Sequence, residues 1–381
     1  MRDIFNIYIG ELRRCISDIG VGVFFILVPL GYPLLYTYIY SREVVREIDV
    51  VVCDLSNSYS SRSFVRKLDA TPEVRTAMKA TNMLAAREAL EENRVKGIVF
   101  IPEEFNDNIT KGEQAHISIY CSMASLFYYK SILVACTDVS LAMNRDIQIE
   151  EIAGLTREEK KIATLPLQYE SIGLSNNNTG FANFIIPAIV VLILQQTLLL
   201  GIGMRVGSDR ERRVETEGHT TLHIIADIIA RAMAYLTIYT PVTAYILCIV
   251  PALFGLSQLS NGVTLLFFML PYLLACIFFA MTISLLFIHQ RETPMLLFVF
   301  TSIPFLFLSG ISWPASNIPA YWKGVSYLLP STFGINGFVS INQMRATIAD
   351  VQFEYRALWI LCCIYFVTAV VTLRTKVRHL S

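Results

Sequence analysis

Long stretches of this 381-residue chain carry no charge, and that limits its fold more than any other feature. A helix needs roughly 20 consecutive apolar residues to cross about 30 Å of hydrocarbon. Residues 19–41 and 171–204 each meet that length. Residues 232–290 are uncharged throughout, which is enough for two crossings, with a turn-rich break at 254–262. Residues 293–322 give a fifth span with length to spare. Residues 357–373 give a short sixth, which borrows Tyr355 and Arg356 at its end by snorkelling.

Composition fits a membrane protein with one polar insertion. Apolar residues make up 54% and charged residues 16%, against about 25% charged in an average soluble domain. Thirty-one basic and 31 acidic residues cancel, which excludes a basic nucleic-acid binder and an acidic disordered chain. The charges are unevenly spread: residues 41–170 hold about 16 basic and 20 acidic side chains, leaving about 26 for the rest of the chain. The expectation is an α-helical polytopic membrane protein of six transmembrane helices with an inserted α/β extracytoplasmic domain.

Loop charges set the orientation. Arg2, Arg13 and Arg14 precede the first span, and Arg205, Arg210, Arg212 and Arg213 follow the second. Arg291 lies between the fourth and fifth, and Arg374, Lys376 and Arg378 end the chain. Six spans place all of them on one side, the cytoplasmic one, together with both termini. The polar insertion then lies outside, where long translocated domains escape the charge rule. The first span is longer than a signal-peptide core and no small-x-small site follows it, so it reads as a retained anchor. Ahead of it, Ile4, Phe5, Tyr8, Ile9, Leu12 and Ile16 recur at helical spacing with Asn6, Arg13 and Arg14 away from them. That pattern fits an amphipathic helix on the inner membrane surface, or the cytoplasmic end of the first span.

In the insertion, residues 48–54, 95–101 and 116–121 read as strands. Residues 60–68, 82–93 (capped by Thr81 or Asn82), 125–151 and 157–162 read as helices. Cys53, Cys121 and Cys136 fall here without a CxxC spacing; a Cys121–Cys136 bridge and buried thiols are both compatible with the sequence.

Several chemistries lack their signatures. The sequence has no G-x-x-x-x-G-K-[ST], no G-x-G-x-x-G after a strand and no G-x-S-x-G. His219 and His223 stand four apart, without a Glu after His219 or further ligands at a metal spacing, so no metal site is expected. The outer pairs Glu91–Glu92 and Glu103–Glu104 read as solvated faces, and Cys362–Cys363 as filler in the last span. The central parts of the spans hold no Asp, Glu, Lys or Arg, as ion-driven coupling would require. Asp227 and Arg231 come nearest, four apart and in the favourable acid-first order. Asn183, Gln195, Gln196 and Ser284 are the neutral polar groups inside; they suit interhelical hydrogen bonds or a substrate path.

The segment Leu308-Ser309-Gly310-Ile311-Ser312-Trp313-Pro314 with Asn317-Ile318-Pro319 resembles the "LSG…P…P" signature of the membrane subunits of bacterial ABC-2 type exporters. Leu329-Pro330-Ser331-Thr332 and Asn342-Gln343-Met344-Arg345 follow in that family's order. In the insertion, Val50 to Asp54 and Lys96-Gly97-Ile98-Val99-Phe100-Ile101-Pro102 with Phe105 resemble its "V-D" strand and "G-x-x-x-I-P-x-x-F" segment. The resemblance runs along nearly the whole chain and is closest to the branch with a large outer domain between spans one and two. One departure stands out. The family's loop after span two reads like E-R-E-x-G-T, whereas here it is Asp209-Arg210-Glu211-Arg212-Arg213-Val214-Glu215.

The resemblance implies a permease that dimerises with itself or a similar subunit and is powered by cytoplasmic ABC ATP-binding subunits. ATP and Mg would reside on those subunits, and no cofactor on this chain. A periplasmic adaptor is a further candidate partner, and the membrane is the bacterial inner one. Arg205, Asp209, Arg210, Glu211, Arg212, Arg213 and Glu215 are the candidate ATPase-coupling residues. Leu308, Ser309, Gly310, Pro314, Pro319 and Pro330 are the candidate re-entrant signature, and Asn183, Gln195 and Gln196 the candidate pathway polar groups. The implied partition is a surface helix over 1–18, a first span over 19–40 and the outer domain over 41–178. A second span over 179–204, a coupling loop over 205–223 and four spans over 224–381 follow, with a re-entrant segment about 312–340. The expected cargo is hydrophobic or amphipathic, drug-like or lipid. Export of an envelope polymer or lipid-linked precursor is the alternative. A non-transporting outer sensor would need only one span, and a membrane-embedded acyl- or glycosyltransferase would want a His or carboxylate with a nucleophile partner near an interface.

The topology is directly testable. Single cysteines at positions 14, 212 and 378 should resist a membrane-impermeant maleimide in intact cells, and one at 111 should react; labelling at 212 from outside would break the six-span arrangement.

Overall fold

The computed structural model describes residues 2–40, 46–122, 126–151, 181–212, 221–256, 258–288 and 290–380. The chain divides into two compact units, Met1–Glu43 with Ile172–Ser381, and Val44–Ser171.

The first unit is helical. α1 (Arg2–Ser17) stops at Asp18, whose carboxylate accepts from Gly20 N at 3.1 Å and Val21 N at 3.4 Å and so starts α2 (Ile19–Tyr40) as a separate helix. The N-terminal segment is therefore a helix of its own, not an extension of the first span. The long helices α7 (Phe181–Glu211), α8 (Thr221–Phe254), α9 (Gly262–Phe287) and α13 (Gln352–Leu380) complete the set. Among the described residues, five helices are long and apolar enough to cross a bilayer: α2, α7, α8, α9 and α13. The break between α8 and α9 falls where the sequence placed it, at Gly255 (φ 65°) and the Asn261 cap.

The expected fifth span, read over 293–322 with length to spare, holds one apolar helix and a turn. α10 (Thr293–Leu308) has 16 residues, about 24 Å at 1.5 Å per residue. It ends at Gly310, whose φ of 84° is left-handed backbone that suits glycine. Two short helices follow, α11 (Ala320–Ser326) and α12 (Pro330–Met344). α12 is buried along most of its length, packed on α7, α9 and α13. Its neighbours give its course. Tyr365, about midway along α13, donates its hydroxyl to Leu328 O just before α12 begins. At the other end, Asn342 O accepts from Leu259 N at 2.9 Å, in the α8–α9 turn. Thus α12 runs from beside the middle of α13 to the α8–α9 turn. A Cβ on Gly334 would lie 2.2 Å from the Tyr272 ring, so only glycine allows α12 this close to α9.

Prolines inside spans free carbonyls that must be satisfied internally, since hydrocarbon offers no water. Pro187 in α7 cannot donate to Asn183 O; Gln343 Nε2 of α12 donates to it instead. Pro251 in α8 likewise frees Leu247 O, which accepts from Gln258 Nε2.

The second unit holds a four-stranded sheet in the order β2-β1-β3-β4. β1 (Ile48–Asp54), β2 (Val74–Ala80) and β3 (Gly97–Ile101) are parallel and β4 (Ser118–Cys121) is antiparallel. The helices are α3 (Tyr59–Asp69), α4 (Met83–Glu91), α5 (Phe105–Lys111) and α6 (Leu126–Glu151). One face of the sheet packs Val50, Val52 and Val99 against Phe64, Leu68 and Ile132 of α3 and α6. The other packs Val51, Cys53 and Ile98 against Ala86 and Ala89 of α4. Central strands covered on both faces explain the unbroken Val50-Val51-Val52 run. Sequence reading missed β2 and α5: β2 is half-exposed and mixed in character, and α5 is only two turns long. Asn82 is the observed cap of α4, accepting from Ala85 N at 2.9 Å. Cys121 and Cys136 are both free thiols; burial raises each, Cys136 to about 12. The helix expected over 157–162 lies outside the described residues.

Replacing Gln343 with Leu should lower stability by about 1–3 kcal/mol, because the buried Asn183 O loses its Nε2 donor. In a Pro187→Ala background the restored N–H can serve that carbonyl, so the loss should shrink. Thermal unfolding in detergent of the four proteins checks this; an equal loss in both backgrounds would show that Gln343 has another role.

Candidate functional site

The cytoplasm-assigned ends of three helices share a buried charge cluster. Arg205 and Asp209 stand four apart on α7, and Asp227 and Arg231 four apart on α8, so each pair meets on one helix face. Arg205 Nη1 lies 2.6 Å from Asp209 Oδ1, and Arg231 Nε 3.0 Å from Asp227 Oδ1. Asp209 joins the two helices, with its second oxygen 3.3 Å from Arg231 Nη1. α1 adds Glu11, 3.2 Å from Arg205 Nε, which also accepts from Tyr235 Oη at 2.7 Å. Glu11 is 2% exposed and Arg205 4%. Charges this buried persist only when paired, because desolvating each ion costs several kcal/mol. Two guanidiniums face three carboxylates, a net charge of minus one.

Glu11 escaped the sequence reading. Its signal was an acid between Tyr8, Leu12 and Cys15 on one face of a helix otherwise taken for membrane-facing. In the structure Glu11 and Cys15 are buried and α1 packs on α8, whereas Ile4, Phe5, Ile9 and Ile16 are exposed. Burial, and next the Glu11 carboxylate, push the Cys15 thiol well up.

A second set of contacts lies close by in sequence. Arg210 donates to Leu285 O at 2.7 Å and to Ile288 O, and Lys376 Nζ donates to Leu285 O. These are among the last carbonyls of α9 and the residues just after it, where cations complement the helix end. Arg291 pairs with Asp18, and its backbone N donates to Glu211 Oε1 at 2.9 Å.

The seven candidate coupling residues therefore separate. α7 runs on past the expected boundary at 204 as far as Glu211, so Arg205, Asp209 and Arg210 are helical and turned inward, not parts of a loop. Glu211 and Arg212 are exposed. Arg213, Glu215 and His219 lie outside the described residues, and His223 is in the first turn of α8. Among the described residues no cluster of three metal-ligating side chains occurs.

The neutral polar groups are buried between helices. Gln196 and Thr301 Oγ1 lie 3.3 Å apart, linking α7 to α10. Gln195 Oε1 accepts from Cys276 Sγ of α9 at 3.6 Å, while its Nε2 has no hydrogen-bond partner among the described residues. Asn183 contributes the carbonyl held by Gln343. In the re-entrant signature, Leu308 ends α10 and Ser309 donates to Leu306 O at 2.6 Å, with Gly310 turning the chain. Pro314 and Pro319 immediately precede the next helical turns, and Pro330 opens α12, where a missing N–H leaves nothing unsatisfied.

Membrane-length helices and an inserted α/β unit define the class: an α-helical polytopic membrane protein. The model of the family described as ABC-2 family transporter protein matches residues 21–371. The chain belongs to that family and is a transmembrane permease component, which associates with an ATP-binding subunit in an ABC transporter. No individual curated protein matches the sequence.

Removing Arg205 should strand Glu11 and Asp209. Arg205→Met should cost about 3–5 kcal/mol, and adding Glu11→Gln should recover part of that loss. Thermal unfolding of the single and double variants in nanodiscs tests it; strictly additive losses would mean that the cluster is not one network.

Proposed function

We propose that this permease exports a hydrophobic or amphipathic molecule, drug-like or lipid, from the cytoplasm or inner leaflet of a bacterial inner membrane. The observation that carries this reading is the family match over 21–371 on a fold with membrane-length helices. Two permease subunits and two ATP-binding subunits form the working unit, with both termini cytoplasmic and the α/β unit outside. Export of an envelope polymer or lipid-linked precursor is the alternative cargo, and a periplasmic adaptor a further partner of the outer unit. ATP and Mg bind on the partner, since this sequence has no G-x-x-x-x-G-K-[ST].

Coupling has two layers in this reading. The exposed end of α7, with Glu211 and Arg212 and onward through Arg213 and Glu215, meets the ATPase. Mixed charges there fix register and orientation. Arg205 and Asp209 act behind that surface: paired with Glu11, Asp227 and Arg231, they make the ends of α1, α7 and α8 move together. Arg210 ties the same end to α9. A push on the loop thereby reaches the spans and the re-entrant pair. Gln195, Gln196 and Asn183 line the helix contacts that shift.

Reversing Glu211 and Arg212 to the opposite signs should leave insertion and abundance intact. It should weaken retention of the ATP-binding subunit roughly a hundredfold, the equivalent of about 3 kcal/mol, and stop export. Co-purification with quantified ATPase tests this; normal retention with normal export would reduce the loop to a topology signal.

A further inference from the structure

The first turns of α13 carry an open groove of about 640 Å³ on the face away from its neighbours. Gln352, Tyr355, Arg356, Trp359 and Ile360 line it, with Ile348 of the preceding loop closing one end. Their spacing of three, four, seven and eight residues puts the helical members on one face. The opposite face holds Leu358, Leu361, Cys362 and Ala369, buried in the helical core. The groove is therefore not a gap in packing but an uncovered helix surface at the mouth of a span.

Its chemistry is mixed in a specific way. Trp359 is 37% exposed and Ile360 59%, an apolar wall that continues down the span. The Tyr355 and Trp359 rings meet edge-on, with centroids 6.4 Å apart. Arg356 is exposed on the same face and, among the described residues, has neither an ion pair nor a hydrogen bond. The charge-bearing residues nearest in sequence do not neutralise it: Asp350 is engaged by Thr347, and Glu354 forms no ion pair among the described residues. An unpaired guanidinium one turn inside a span lies at headgroup depth, where aromatic residues also collect.

We infer that this groove is a phospholipid site, with Arg356 holding the lipid phosphodiester and the Trp359–Ile360 wall taking the upper part of an acyl chain. A phosphate offers oxygens that match the forked guanidinium donors. The occupant must also be apolar below the charge, because the wall descends along a membrane span. A phospholipid supplies both parts in one molecule, which free phosphate does not. Basic pockets beside transmembrane helices bind lipid headgroups on the same physical ground. The inference does not depend on cargo or on the direction of transport.

Native mass spectrometry of the purified full chain tests it, with phosphatidylglycerol, phosphatidylcholine and diacylglycerol offered separately. Both phospholipids should be retained, and diacylglycerol about tenfold less. Arg356→Gln should lower phospholipid retention about tenfold, towards the diacylglycerol level, and Arg356→Lys should keep part of it, since the charge remains without the fork. A photo-crosslinking amino acid in place of Trp359 should trap lipid. Equal retention of all three lipids, or unchanged retention by Arg356→Gln, would overturn the proposal. So would a crosslink from position 359 to a second copy of the chain in place of lipid.

Discussion

Hydrocarbon cannot hydrogen-bond, and the membrane unit of this protein answers that fact at two of its prolines. Where Pro187 and Pro251 remove a donor, side-chain amides of Gln343 and Gln258 reach across to the freed carbonyls. Where the chain breaks into short helices after Gly310, α12 is buried on α7, α9 and α13, so protein surrounds it. The prolines each remove a backbone donor, and the amides keep the freed carbonyls satisfied in an apolar medium.

The same constraint governs charge. The ionisable groups within the long helices gather towards the ends, and the most buried of them are held in the Glu11–Arg205–Asp209–Arg231–Asp227 cluster. A paired cluster of this kind adds little net stability over an apolar replacement, yet breaking it is costly. Its consequence is mechanical. Three helix ends, including the separate N-terminal one, are tied at the side where an ATP-binding subunit is proposed to dock. The cluster is thus suited to carry a displacement without loosening.

Much of this was legible in the sequence, because span length and uncharged runs are direct readings of bilayer thickness. The α8–α9 break, the acid-first Asp227–Arg231 pair and the covered strand Val50-Val51-Val52 followed from local rules. What escaped depends on contacts distant in sequence. Glu11 gave only a lone acid on a helical face, and its partner Arg205 stands nearly 200 residues away. The expected end of the second span at 204 rested on the first charge met; pairing let the helix continue to Glu211. The uncharged run 293–322 left length over after a fifth span, but hydropathy does not mark the helix end, because apolar residues continue past Gly310, where backbone conformation turns the chain. Within the candidate coupling segment, sequence could not sort inward-facing Arg205, Asp209 and Arg210 from exposed Glu211 and Arg212.

In the proposed mechanism, α1 and the end of α7 form one mechanical piece that moves when the ATP-binding subunit acts. Spin labels at positions 5 and 212, and at 5 and 321, in the complex with its ATP-binding subunit would measure it by pulsed electron resonance with and without trapped ATP. The 5–212 distance should stay constant while the 5–321 distance changes. A 5–212 distance that changes on trapping ATP would contradict the claim.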